Sequence, residues 1–207
     1  MTRRGEGRTR QAVASGFAAA FVALAVWIEV AGSVPGDKRA LVELNETIGT
    51  DVDDAMVAIG RASDIIPLAI SATVALLLLV GARRRRDAWL FAIGVGVIWA
   101  VNPLLKELVA RPRPDVRSSP EVVSMFSFPS GHAANSAALI GGLFLVAPTG
   151  TRRPAVVAAG GALLIAVGFS RLAIGVHYPS DIVGAWLWVG AWIALLSSST
   201  SGAGEPD

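Results

Sequence analysis

What most constrains this chain is the length of its apolar blocks. Stretches near Ala12 to Gly32, Ile65 to Ala82, Ala88 to Leu105, Ser130 to Ala147, Pro154 to Ser170 and Asp181 to Leu196 are nearly free of charge. Each approaches the length a helix needs to cross a hydrocarbon core of about 30 Å. A soluble domain of 207 residues would mix apolar and polar positions more evenly than a chain that is 53% hydrophobic and 16% charged. The pattern predicts an all-α integral-membrane bundle of six transmembrane helices, one domain over residues 1–196. Several blocks are short and rich in Gly and Ala, which implies close helix packing. The Ser/Gly-rich tail at 197–207 is expected to be disordered.

The arginines set the expected orientation. Arg3, Arg4, Arg8 and Arg10 precede the first block, Arg83 to Arg86 separate the second and third, and Arg152 with Arg153 separate the fourth and fifth. With six crossings all three clusters fall on one side, cytoplasmic by the positive-inside rule. The expected location is therefore the plasma (inner) membrane, with both termini cytoplasmic. Because short runs beside apolar blocks account for the net charge of +2, no nucleic-acid partner is expected. The basic start and Ala31-Gly32-Ser33 also resemble a signal peptide, but the apolar stretch is long for one and is expected to be retained. Cysteine is absent, excluding disulfides and thiol chemistry, and two histidines argue against a His-rich metal site. Nothing in the chain specifies an oligomeric state.

Between the first two blocks, Leu41, Leu44, Ile48, Val52, Met56 and Ile59 recur at helical spacing opposite Glu43, Glu46, Asp53 and Asp54. An amphipathic outer segment is expected there, interrupted near Gly49 and Thr50 and packed over the bundle.

The polar residues that topology does not explain form three groups. Lys106 and Arg113 follow the third block, Ser130 to His132 open the fourth, and Ser170, Arg171, His177 and Asp181 join the fifth to the sixth. Two crossings separate successive groups, so all three emerge on one face, opposite the arginine clusters. A single cation at a span end can simply snorkel, but three sharing a face with two histidines form a candidate anion site. Pro129-Ser130-Gly131-His132 reads as a helix cap whose free N–H groups can hold an oxyanion. His177 and Asp181, four residues apart, suit either a structural hydrogen bond or a carboxylate-oriented nucleophile. Arg111 and Arg117 fit no motif and are expected to be solvated or to attract anionic headgroups.

Together, Lys106-x6-Arg113-Pro114, Pro129-Ser130-Gly131-His132 and Ser170-Arg171-x5-His177-x3-Asp181 resemble the type-2 phosphatidic acid phosphatase superfamily. The resemblance implies an integral-membrane hydrolase of lipid phosphates or diphosphates. It implies that Lys106, Arg113, Arg171, the Ser130 hydroxyl and the Gly131 N–H bind phosphate, and that His177 attacks phosphorus to form a phosphohistidine. Asp181 would orient His177, and His132 would protonate the leaving group. Three cations supply the charge compensation a metal often provides, so no metal or other cofactor is expected. The expected partners are the bilayer and a lipid phosphate, with a polyprenyl diphosphate ranked first, ahead of phosphatidylglycerophosphate or phosphatidic acid. Two alternatives share the anion site: a vanadate-dependent haloperoxidase, which six spans disfavour, and a nonenzymatic phosphate-binding membrane protein, which the paired histidines His132 and His177 with Asp181 disfavour.

Overall fold

The computed structural model describes residues 3–116, 124–147 and 153–200. These form eight helices: α1 (Arg3–Ala31), α2 (Asp37–Ile48), α3 (Asp53–Ala62), α4 (Ile65–Gly81), α5 (Arg85–Val109), α6 (Gly131–Val146), α7 (Arg153–Ala173) and α8 (Pro179–Thr200). Every apolar block of the sequence is a helix. Four of them, α1, α5, α7 and α8, are long and apolar enough to cross a membrane, and α3 with α4 makes a fifth candidate span bent by 41°. α6, at 16 residues, is shorter.

α6 lies at the centre, against α4, α5, α7 and α8, while α1 packs along α8. Its Ala133, Ala134, Ala137 and Ala138 are buried with Ile98 of α5 and with Ile182, Ala185 and Val189 of α8. Small side chains there let the neighbouring backbones approach, as close membrane packing requires. Large apolar residues that would be costly to expose to water point outward instead, including Val30 on α1, Ile66 and Leu78 on α4, and Ile165 on α7. That inside-out distribution is stable only against lipid.

The amphipathic segment is two helices, α2 and α3, with Gly49 capping the end of the first. Both pack on α7. Asn45 of α2 donates to the Leu172 carbonyl at 3.0 Å, and Val57 of α3 is buried with Ile174 and Val176 beyond α7. The segment therefore holds the α7–α8 connection in place. α8 is helical through Thr200, so the polar end of the chain starts later than its composition suggests; Ser197 to Thr200 extend the helix. Arg117, Arg152 and residues 201–207 lie outside the described residues.

Candidate active site

Helix ends create the site. α5 delivers Lys106 in its last turn, and Ala110, in a left-handed conformation at φ 48°, ends that helix and turns the chain toward Arg113. α6 begins at Gly131, with the Ser130 hydroxyl accepting from the Ala133 N–H at 3.5 Å as its cap. The segment before it is anchored by Phe128, which is fully buried and stacks on Phe21 of α1 with ring centroids 5.8 Å apart. A Cβ at residue 184 would sit 2.3 Å from the Phe128 ring, so Gly184 of α8 is what admits it.

Lys106, Arg113, Gly131, His132 and His177 line one pocket of about 240 Å³, together with Ser63, Asp64, Ile65, Ser124 and Asn135. The three polar groups of the sequence thus converge. Arg113 is held from behind, its Nη1 donating to the Val176 carbonyl at 2.6 Å and its Nε to the Ser124 carbonyl at 2.5 Å. Lys106 Nζ donates to the Phe126 carbonyl at 2.8 Å. The cations are therefore positioned in advance, the arrangement that favours charge developing on a reacting oxyanion.

His177 is 1% exposed. Its Nδ1 faces Asp181 Oδ2 at 3.2 Å and its Nε2 faces Arg113 Nη1 at 3.3 Å. With the proton on Nδ1 directed to the carboxylate, Nε2 keeps its lone pair. Burial pushes the imidazole down from 6.5 to about 3; the Asp181 hydrogen bond and charge oppose this, while the positive charges of Arg113 and Lys106 reinforce it. His177 is consequently neutral at physiological pH, the state a nitrogen nucleophile needs. Burial also lowers Arg113 from its ordinary value, with Asp181 opposing and Arg171 adding to the effect.

Ser130, Arg171 and Asp181 are fully buried and sit behind this lining. Arg171 donates from Nη2 to the Met56 carbonyl of α3 and from Nε to Ser170 Oγ, both at 3.1 Å. It lies so close to α3 that a Cβ at residue 60 would be 1.7 Å from its Nη2. Gly60 makes the space for that guanidinium. Ser130 is bound to α8 as well, its N–H donating to the Asp181 carbonyl at 3.1 Å.

Two features depart from the sequence expectation. Arg111 is buried, not solvated: it is 3% exposed, donating from Nη1 to Asp181 Oδ1 at 2.6 Å and to Ser180 Oγ at 2.7 Å, and from Nη2 to Asp37 Oδ2 at 2.8 Å. Its guanidinium also stacks 4.1 Å above the Tyr178 ring. Asp37, from the first turn of α2, completes the network by accepting from the Ser180 N–H at 3.1 Å and from the Ser180 hydroxyl. Second, Asp64 stands 2.8 Å from His132 Nε2. It carries no role in the sequence reading and stands directly before the apolar run that forms α4. The outer segment thus supplies Asp37, Gly60 and Asp64 to the site, beyond covering the bundle.

Comparisons with known proteins place the chain in a family. The family model described as the PAP2 superfamily matches residues 87–204. The chain is 38% identical over 134 residues to a decaprenylphosphoryl-5-phosphoribose phosphatase of Mycobacterium tuberculosis, covering 62% of this chain and 70% of that protein. It is 30% identical over 159 residues to phosphatidylglycerophosphatase B of Bacillus subtilis, covering 72% and 73%. An undecaprenyl-diphosphatase of Sulfolobus acidocaldarius is 28% identical over 63% of each chain. In fold it is similar to the crystal structure of a transmembrane PAP2 type phosphatidylglycerolphosphate phosphatase from Bacillus subtilis, with a TM-score of 0.79, 22% identity and coverage of 93% of this chain and 98% of that one. With a family match over more than half its length, the chain belongs to the PAP2 superfamily and is an integral-membrane lipid phosphatase.

Proposed function

We propose that this protein removes a terminal phosphate from a polyprenyl-linked phosphate or diphosphate through a phosphohistidine on His177. One observation carries the reading: a neutral, Asp181-held His177 lines a pocket with Lys106, Arg113 and His132, its Nε2 3.3 Å from Arg113 Nη1. His177 Nε2 forms the bond to phosphorus as the phosphorus–oxygen bond to the lipid breaks. His132 gives its proton to the departing oxygen, and Asp64, beside it, balances the charge of the imidazolium. Water then attacks the phosphohistidine, passing a proton to His132, and phosphate leaves with His177 restored. Lys106, Arg113 and the Gly131 N–H at the start of α6 bind the phosphoryl oxygens, with Arg171 and Ser130 closing the shell from behind. In this reading Lys106, Arg113 and Arg171 supply the charge compensation that a metal often provides.

The polyprenyl ranking rests on the relatives. Those from M. tuberculosis and S. acidocaldarius carry prenyl-linked substrates in their names, and the B. subtilis relative a diacyl one. The site is extracytoplasmic in this reading and α6 is the sixth span. Arg84 of the α4–α5 turn donates to the Val146 carbonyl at the far end of α6, and Arg10 of α1 donates to the Ser197 carbonyl of α8. The basic ends of the helices therefore lie together, opposite the pocket, as the positive-inside rule would have them. The test is phosphate release from decaprenylphosphoryl-5-phosphoribose, undecaprenyl diphosphate, phosphatidylglycerophosphate and phosphatidic acid by native protein in detergent with EDTA. The highest kcat/KM is expected on a prenyl-linked substrate; a preference for either diacyl lipid overturns the ranking.

A further inference from the structure

The residues that line the phosphate pocket fall into two groups. Lys106, Arg113, Gly131 and His177 come from the end of α5, the start of α6 and the α7–α8 connection, and they hold the cations. Ser63, Asp64 and Asn135 gather instead around His132. Asp64 stands 2.8 Å from His132 Nε2, Ser63 adjoins it at the bend between α3 and α4, and Asn135 lies three residues along α6 from His132, on the same helix face. None of the described residues in this second group is a cation.

The hydrogen-bonding capacity of the two groups differs in kind. Lys106 donates to the Phe126 carbonyl, and Arg113 donates to the Ser124 carbonyl and hydroxyl and to the Val176 carbonyl. The donors these cations have left suit the oxygens of one phosphoryl group. Around His132 the free capacity is neutral or acidic. Ser63 gives its hydroxyl proton to the Gly60 carbonyl at 2.8 Å, which leaves its oxygen able to accept. Asp64 faces His132 with one carboxylate oxygen, and the other has no partner among the described residues. The half-buried Asn135 carboxamide also has none there, and it offers both donors and an acceptor.

We propose that the leaving group of the lipid substrate is a polyol, whose free hydroxyls bind Asn135, Asp64 and Ser63, and not a second phosphate. The proposal rests on the phosphatase reading of the pocket: His132 protonates the departing oxygen, so the side chains gathered around His132 are those that meet the leaving group. Hydroxyls donate to Asp64 and Ser63 and exchange hydrogen bonds with Asn135 in either direction. A site built to bond hydroxyls disfavours an analogue that lacks them, because its own polar groups are then left unpaired. A second phosphate in the same place would meet no cation of this group and would face the Asp64 carboxylate, where like charges repel. The scissile bond is therefore that of a lipid-linked polyol phosphomonoester, which narrows the substrate by its head and not by its tail.

The probes are glycerol 3-phosphate, propyl phosphate and propyl diphosphate, which share one carbon skeleton and differ in hydroxyls or in a second phosphate. Native protein in detergent should hydrolyse glycerol 3-phosphate with a kcat/KM about tenfold above that of propyl phosphate, the scale of one or two net hydrogen bonds, and should disfavour propyl diphosphate. Asn135→Leu should bring the glycerol-to-propyl ratio close to one, and Asn135→Gln should restore part of it. A native ratio near one, an unchanged ratio in Asn135→Leu, or a preference for propyl diphosphate overturns the proposal and leaves the hydrolase reading intact. Calorimetry on His177→Asn protein reads binding apart from turnover: glycerol 3-phosphate should bind about tenfold more tightly than propyl phosphate, and equal affinity overturns the polyol site. Tighter binding of glycerol 3-phosphate, with no phosphate released by native protein from any of the probes, supports the polyol site and removes the catalytic reading.

Discussion

Arg111 donates to one oxygen of Asp181 at 2.6 Å while the other oxygen of that carboxylate faces His177 Nδ1 at 3.2 Å. A single buried arginine thus fixes the residue proposed to orient the nucleophile, and through Asp37 it ties the site to α2. Removing one partner of a buried ion pair leaves uncompensated charge in a low dielectric, which costs about 3–5 kcal/mol. Arg111→Ala should lower the unfolding free energy in detergent by that order and lower kcat with it. Stability within about 0.5 kcal/mol of native, the range of an ordinary surface substitution, would show that Arg111 is not the keystone described.

Asp64 faces His132 Nε2 at 2.8 Å and lies outside the segment matched by the family model. If it balances His132 as that ring shuttles a proton, Asp64→Asn should lower kcat about tenfold to a hundredfold, toward the lower end of what acid–base catalysis supplies. KM for a water-soluble phosphate ester should hold, because Lys106, Arg113 and Arg171, the cations proposed to bind phosphate, are untouched. Partial recovery of kcat in Asp64→Glu would separate charge from shape; equal loss in both variants would mean that the carboxylate charge is not what His132 needs.

His177 should not titrate in the ordinary histidine range. Its value in the folded protein is about 3, so NMR of histidine-labelled protein in detergent should show one imidazole signal, absent in His177→Asn, that is flat from about pH 5 to pH 8. Below about 6.5 the unfolded chain takes up a proton that folded His177 refuses, so this residue makes stability fall as pH drops from 6.5 toward 3. A His177 midpoint near 6.5 would contradict the buried, neutral nucleophile.

Gly60 clears the space occupied by the Arg171 guanidinium. Gly60→Ala should displace that cation and weaken inhibition by vanadate, a phosphate mimic, by about tenfold or more, as expected for a charge-assisted contact of roughly 1.5–3 kcal/mol. Native vanadate affinity in this variant would mean that Arg171 contributes nothing to anion binding.

Much of this was legible from the chain. Apolar blocks announce helices because the bilayer demands that backbone groups bond internally, and span counting brings Lys106, Arg113, His132 and His177 to one face before any contact is known. What the sequence concealed was pairing across distance. Arg111 lies two residues from Arg113 and looks like one more loop cation; only its acceptors, on α2 and α8, make it structural. Asp64 and Asp37 open helices and look like ordinary caps, and Gly60 looks like a weak helix position. Their roles depend on how α2 and α3 fold back over α7, which amphipathic spacing predicts as packing but not as chemistry. α6 posed the converse problem: it was expected to be a span, but its 16 residues make it shorter than the four or five candidate spans.

The central claim is that His177 carries the phosphoryl group. The direct measurement is rapid acid-free quenching of native protein with lipid phosphate radiolabelled in the scissile phosphoryl group, followed by peptide mapping. The label should reside on the peptide containing His177, resist base, be lost in acid, and be missing from His177→Ala, which should also release no phosphate. Phosphate release at the native rate by His177→Ala, or stable label on another residue, would contradict the account.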